Sequence, residues 1–187
     1  MQLFSNKLLK SMMLIALGAF VIILCTLLAF KLPGSNIPQT AQTLGVLVVA
    51  AILGKNYGFS SVVLYLAVGL VGIPVFAEGT MGLEVFMGPT RGYLLGFLVA
   101  ALLCGWWCNQ SHNQFFISIF TIMILAHVLI LAMGWIWLSS KIGPNEAFTQ
   151  GVLPFFYGAL IKSLIATLVV MFYFKSEKRI KMLFSTK

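Results

Sequence analysis

The sequence predicts an all-α integral membrane protein, a bundle of six transmembrane helices, and three observations carry that prediction. Apolar runs separated by short polar or Gly/Pro-punctuated segments take up most of the 187 residues. Hydrophobic residues make up 60% of the chain and charged residues only 9%, with a mean hydropathy of +1.03. A soluble domain of this size needs far more polar surface, so residues 1–187 read as a single membrane domain. The third observation is the stretch Gly151–Phe174, 24 residues with one charge, Lys162. At 1.5 Å per residue it is long enough to cross a hydrocarbon core about 30 Å thick.

The elements follow in chain order. The first span, 12–30, comes after Lys7 and Lys10; its apolar run is too long for a signal-peptide core and no small-x-small cleavage site follows it. The segment KLPGSNIPQTAQT leads into the second span, 39–54, and puts Thr40, Gln42 and Thr43 at its mouth, where they either cap the helix or face a polar cavity. KNYG (Lys55–Gly58) reads as a tight turn before the third span, 58–74. Runs two and three are short, so they form either a re-entrant hairpin or two crossings, with breaks at Gly69, Gly72 and Pro74 reconciling the lengths. The Gly-rich segment that follows holds Glu78, Glu84 and Arg91; its Phe76, Phe86 and Met87 argue for a packed lid. The fourth span, 92–108, closes on Trp106 and Trp107, which suit the interface. The fifth, 115–138, carries His127 near its centre. A Ser, Thr or backbone carbonyl can satisfy that ring while it stays neutral, a reading preferred here over a proton relay. The loop SSKIGPNEAFTQ then leads to the sixth span, 152–174, and a basic tail.

Charge sets the orientation. With six spans, Lys7, Lys10, Lys55, Lys175, Lys178, Arg179, Lys181 and Lys187 share one side, and Lys31, Arg91 and Lys141 the other. The richer side is cytoplasmic, which puts both termini inside. The net charge of +8 is then a topology signal and an attraction to anionic membrane lipid, not a nucleic-acid footprint.

Composition also excludes chemistry. The chain has no Asp, and none of Glu78, Glu84, Glu146 and Glu177 lies in a span, so no acid–base pair is available within the bundle. Cys25, Cys104 and Cys108 read as small hydrophobes, and with His112 and His127 they match no zinc spacing. No P-loop is present. The chain is predicted not to be an enzyme, to hold no metal or cofactor, and to draw any energy for uphill movement from a partner or an ion gradient.

Lys162 is the exception in this apolar chain. Counted from Gly151 it lies about 16 Å into its span, where an ammonium costs at least roughly 2.5–3.5 kcal/mol and marks a functional site by default. Arg91 opens the fourth span from the outer side. Together with Thr40, Gln42 and Thr43, the two cations outline a pocket for a small amphipathic anion with one carboxylate and a hydrocarbon body.

The order IPQTAQTLGVLVVAAILG, VVLYLAVGLVGIPVFAEG, GPTRGYLLGFLVAA and GVLPFFYGALIKS resembles the BioY family, the biotin-binding S components of energy-coupling-factor (ECF) vitamin transporters, from about Ile37 to about Ile165. The resemblance implies an ECF S-component-like bundle, multi-pass in the bacterial cytoplasmic membrane, that captures biotin from the outer side. It implies as partners a transmembrane coupling subunit and two cytoplasmic ATPases. Lys162 matches the lysine of the family's PFLPGDxxK-like pattern, Tyr93 the tyrosine of GYL, and Thr40 and Gln42 the polar positions of PxTxQ; Asn145, in the outer loop before the sixth span, completes the candidate set. Two positions depart from the pattern. Ala159 stands where the family has Asp, which implies weaker biotin binding or a preference for a related acid such as dethiobiotin. Arg91 stands where Gly is usual, and either helps to hold the carboxylate or reaches the headgroups.

Overall fold

The structure, a computed structural model, describes residues 2–30, 39–110 and 114–185. Among them the chain forms α1 (Gln2–Leu27), α2 (Gln42–Leu70), α3 (Gly82–Met87), α4 (Arg91–Cys108), α5 (Phe116–Ile142), α6 (Pro144–Gly151) and α7 (Phe156–Ser185). Two two-residue strands, β1 (Ala29–Phe30) and β2 (Gln39–Thr40), pair antiparallel between α1 and α2. The tip of the first predicted span is therefore strand rather than helix. Of the charges used for orientation, Lys31 and Lys187 lie outside the described residues, as do His112 and the segment 31–38.

Five helical segments among the described residues are long and apolar enough to cross a membrane. One of them doubles back. Gly54 has φ +77° and ψ 179°, far from helical values, and a Cβ on Gly58 would lie 2.6 Å from the Ala50 Cα. Gln42 also bonds Tyr65, 23 residues on, whereas the same residues in a straight helix would be about 35 Å apart. Residues 42–53 and 55–70 thus lie side by side as two passes, which gives six in all. The turn expected over Lys55–Gly58 is a single residue earlier, because Gly54 takes the backbone conformation that residues with a Cβ avoid; Lys55–Gly58 are helical.

Two further boundaries differ from expectation. The segment before the sixth span is not a loop: α5 runs on to Ile142, Gly143 at φ +86° stops it, and Pro144 starts α6 at its first position. Gly just past one helix and Pro just inside the next is the sequence signature of such a junction. The sixth span also starts later than predicted. Pro154 cannot continue a helix, so Leu153–Phe155 form a 3-10 turn and α7 begins at Phe156. Lys162 accordingly sits about 9 Å into its helix, not about 16 Å.

The hairpin packs between α1 and α4, α4 packs on α5, α5 on α7, and α7 returns to the hairpin and closes the bundle. Small residues let the backbones approach: a Cβ on Gly92 would meet the Met133 carbonyl oxygen at 2.3 Å, and one on Gly105 would meet the Gly54 backbone at 2.8 Å. Cys104 and Cys108 are buried in this core. Just past the third pass Phe76 inserts its ring against Gly69 and edge-on to Tyr65, with centroids 5.7 Å apart. Phe76 anchors the segment after the third pass, whereas Met87, at the end of α3, is half exposed.

Candidate functional site

Where α2, α4, α5 and α7 converge, they enclose a cavity with about 600 Å³ of non-atom space, counting the part that opens to solvent. Its walls follow helical periodicity. Thr90, Tyr93, Leu94 and Phe97 come from the start of α4 at spacings of three and four, His127, Ile130 and Leu131 from the middle of α5, and Ala159 and Lys162 from one face of α7. Thr40, Gln42 and Thr43 close it from β2 and the mouth of α2, and Phe155 from the 3-10 turn. No Asp or Glu is among the lining residues.

Four of the six predicted site residues line this cavity. Lys162 donates from Nζ to the Thr40 carbonyl oxygen at 3.1 Å, a bond that ties α7 to β2 across 122 residues. The Thr40 hydroxyl accepts from the Gln42 backbone N–H at 3.2 Å, which satisfies the first free N–H of α2 while the residue faces the cavity. Gln42 is buried, and its amide nitrogen donates to the Tyr65 hydroxyl. Tyr93 is held by Gly134, where a Cβ would be 2.2 Å from its ring, and its hydroxyl donates to the Gly151 carbonyl oxygen at 2.7 Å. That bond joins α4 to the end of α6. Tyr93→Phe is expected to lower stability by about 1 kcal/mol, which a fall in Tm of about 2–4 °C would register.

The other two residues lie elsewhere. Arg91 is not in the lining: its guanidinium stacks 4.6 Å from the Trp137 ring centre and donates to the Met87 sulfur at 3.6 Å. Lys141 lies over the same ring at 5.0 Å, and the indole N–H donates to the Gly88 carbonyl oxygen at 2.8 Å. Indole faces attract cations in this way, and the stacking keeps Arg91 out of the cavity lining. Asn145 is exposed on α6, where its carbonyl accepts from Thr149. The position next to Arg91, Thr90, is the one in the cavity wall, with its hydroxyl on the Val85 carbonyl oxygen at 3.2 Å.

His127 is 3% exposed and fully engaged. Nε2 is 3.2 Å from the Thr43 hydroxyl, and Nδ1 is 3.0 Å from the Met123 carbonyl oxygen and 2.8 Å from the Ser163 hydroxyl. One ring nitrogen donating and the other accepting satisfies these contacts, as a neutral imidazole does. A second hollow adjoins the first, with Gln42, Ala77, Thr90 and Leu94 lining both; Glu78 and Glu84 line the second only.

Comparison with known proteins fits this geometry. A model of the family described as the BioY family matches residues 1–179. "Biotin transporter BioY2" of Lactococcus lactis subsp. cremoris (strain MG1363) is 39% identical over 165 residues, which cover 87% of this chain and 89% of the relative. "Biotin transporter BioY" of Thermotoga maritima is 31% identical, covering 84% and 93%. A crystal structure of the S-component for biotin from an ECF-type ABC transporter superposes with a TM-score of 0.81 at 27% identity, over 91% of this chain and 93% of the other.

Proposed function

The chain belongs to the BioY family, and from that membership we propose that it is a biotin-uptake protein, the membrane-embedded subunit that captures biotin from the outer side and delivers it inward. It is a multi-pass membrane protein and not an enzyme. The observation that carries the reading within this molecule is a lone ammonium, Lys162, in a cavity whose lining offers it no carboxylate. An ammonium in apolar surroundings is costly until an anion or strong acceptor joins it, and biotin brings a carboxylate on an otherwise largely apolar chain. Lys162 spends one N–H on Thr40 and turns its others to the ligand.

The remaining parts follow from this role. Tyr93, Phe97 and Phe155 supply apolar walls, and the segment rooted at Phe76 closes the outer mouth. The bacterial cytoplasmic membrane houses the protein with both termini inside, and a transmembrane coupling subunit with two cytoplasmic ATPases drives reorientation of the loaded bundle.

Equilibrium binding of radiolabelled biotin to the detergent-purified chain tests the reading. Saturable binding supports it, and a folded protein that binds none overturns it. If the carboxylate is the partner of Lys162, biotin methyl ester competes about tenfold to a hundredfold less well than the acid, the worth of a charged hydrogen bond. Equal competition by ester and acid would move Lys162 to another oxygen of the ligand.

A further inference from the structure

The reading above leaves the polar end of the ligand without an acceptor of its own. Biotin carries two ureido N–H groups, and burying them unbonded would cost affinity. Ala159 offers nothing, and no carboxylate lines the inner cavity. Lys162 only donates, and the hydroxyls of Tyr93, Thr90 and Thr43 each make one bond, to the Gly151 carbonyl, the Val85 carbonyl and His127, with oxygen lone pairs left over.

Gln42 adds an amide carbonyl oxygen, an acceptor with no proton of its own, and its neighbours decide which end of the amide faces the ligand. Tyr65 is fully buried on the third pass, and its hydroxyl lies 3.2 Å from the Val75 carbonyl oxygen, a group that can only accept. The single hydroxyl proton of Tyr65 goes there. Thr26, 3.4 Å from the same hydroxyl, commits its own proton to the Ile22 carbonyl at 2.8 Å. The Tyr65 oxygen is left as an acceptor, so Gln42 presents its amino end to Tyr65. Its carbonyl oxygen then points away from Tyr65. Among the described residues only Arg91 Nε is a fully enclosed side-chain nitrogen or oxygen without a partner. The Gln42 oxygen, which no described group bonds, is therefore not fully enclosed, and Gln42 lines both the cavity and the hollow beside it.

We propose that Tyr65 is a positioning residue that holds the Gln42 amide with its oxygen toward the ligand, and that this oxygen is the acceptor for a ligand N–H that Ala159 cannot supply. The inference rests on the biotin reading. The hydroxyl of Tyr65 sets a specificity it never touches: N–H donors are accepted and their methylated counterparts are not.

The test compares biotin with biotin methylated on both ureido nitrogens, as competitors for the intact chain and for Tyr65→Phe, Gln42→Leu and Thr26→Val. The intact chain prefers biotin. In Tyr65→Phe the amide loses the acceptor that fixes it, so biotin affinity falls about tenfold while the methylated analogue is unchanged, and the preference shrinks by the same factor. Gln42→Leu does the same, and Thr26→Val leaves the preference intact. A purely structural role for Tyr65 lowers both affinities alike; a Tyr65→Phe protein that keeps its preference, at whatever affinity, overturns the proposal. An intact, folded chain that binds no biotin overturns the functional reading itself, and this inference with it.

Discussion

Lys162→Met is expected to abolish biotin binding, by at least about 30-fold in affinity, while the protein folds as before. The magnitude follows from removing one member of a desolvated charge pair, which costs about 2–5 kcal/mol. The intact fold follows from where the charge sits. Lys162 is on α7 among Phe155, Ala159 and the walls of α4 and α5, and its bond within the described chain is to the Thr40 carbonyl. Methionine keeps the length and the helix preference and introduces no buried charge. Replacing a poorly compensated interior charge by an apolar side chain is neutral or stabilising, so Tm should hold or rise. Binding isotherms and a thermal melt on the same preparation check both halves. A methionine variant that binds as tightly as its parent would remove Lys162 from the site.

Gly54→Ala is expected to destabilise the bundle although the site has room for the added methyl. At φ +77° and ψ 179° the residue occupies a region essentially reserved for glycine, and forcing a Cβ into it costs about 1–3 kcal/mol. For a chain of this length that is a fall in Tm of about 2–12 °C. Space is not the obstacle, because the added atom would meet the Asn109 side chain at an ordinary 3.4 Å. The strain is in the backbone. Relieving it by straightening would make residues 42–70 one rod about 43 Å long, part the Gln42–Tyr65 bond and carry every later helix to the wrong face. Alanine at Gly72, also at positive φ but in open space beyond the third pass, has no comparable topological consequence. A Gly54→Ala protein with an unchanged melt would show that the reversal is not where the fold is specified.

The membrane character and the number of passes were legible in the apolar runs, and Lys162 stood out because an ammonium is conspicuous among Leu, Ile and Val. What sequence could not show is which polar groups meet. Thr43 and Ser163 flank His127 from 84 and 36 residues away, and no local pattern encodes such a meeting. Arg91 and Thr90 are adjacent in sequence, yet one stacks on Trp137 and the other lines the cavity; helical rotation separates them by about 100°. The helix at Pro144 was readable from Gly143–Pro144, but the polar run around it resembled a loop. Phe155 had no signal beyond its place beside Pro154, whose missing N–H creates the turn that aims the ring inward.

Trp137 joins three parts of the outer surface in one side chain: its N–H holds the Gly88 carbonyl, Arg91 stacks over its ring, and Lys141 approaches the ring from its own helix. An indole so placed is an optical gauge. Its emission depends on the charges beside the ring and on the water around it, so any displacement of the segment before α4, as the cavity mouth opens or shuts, registers as a change in colour or intensity. With Trp106, Trp107 and Trp135 replaced by Phe, a change in Trp137 emission on adding biotin would report such a displacement without a label on either the ligand or the chain.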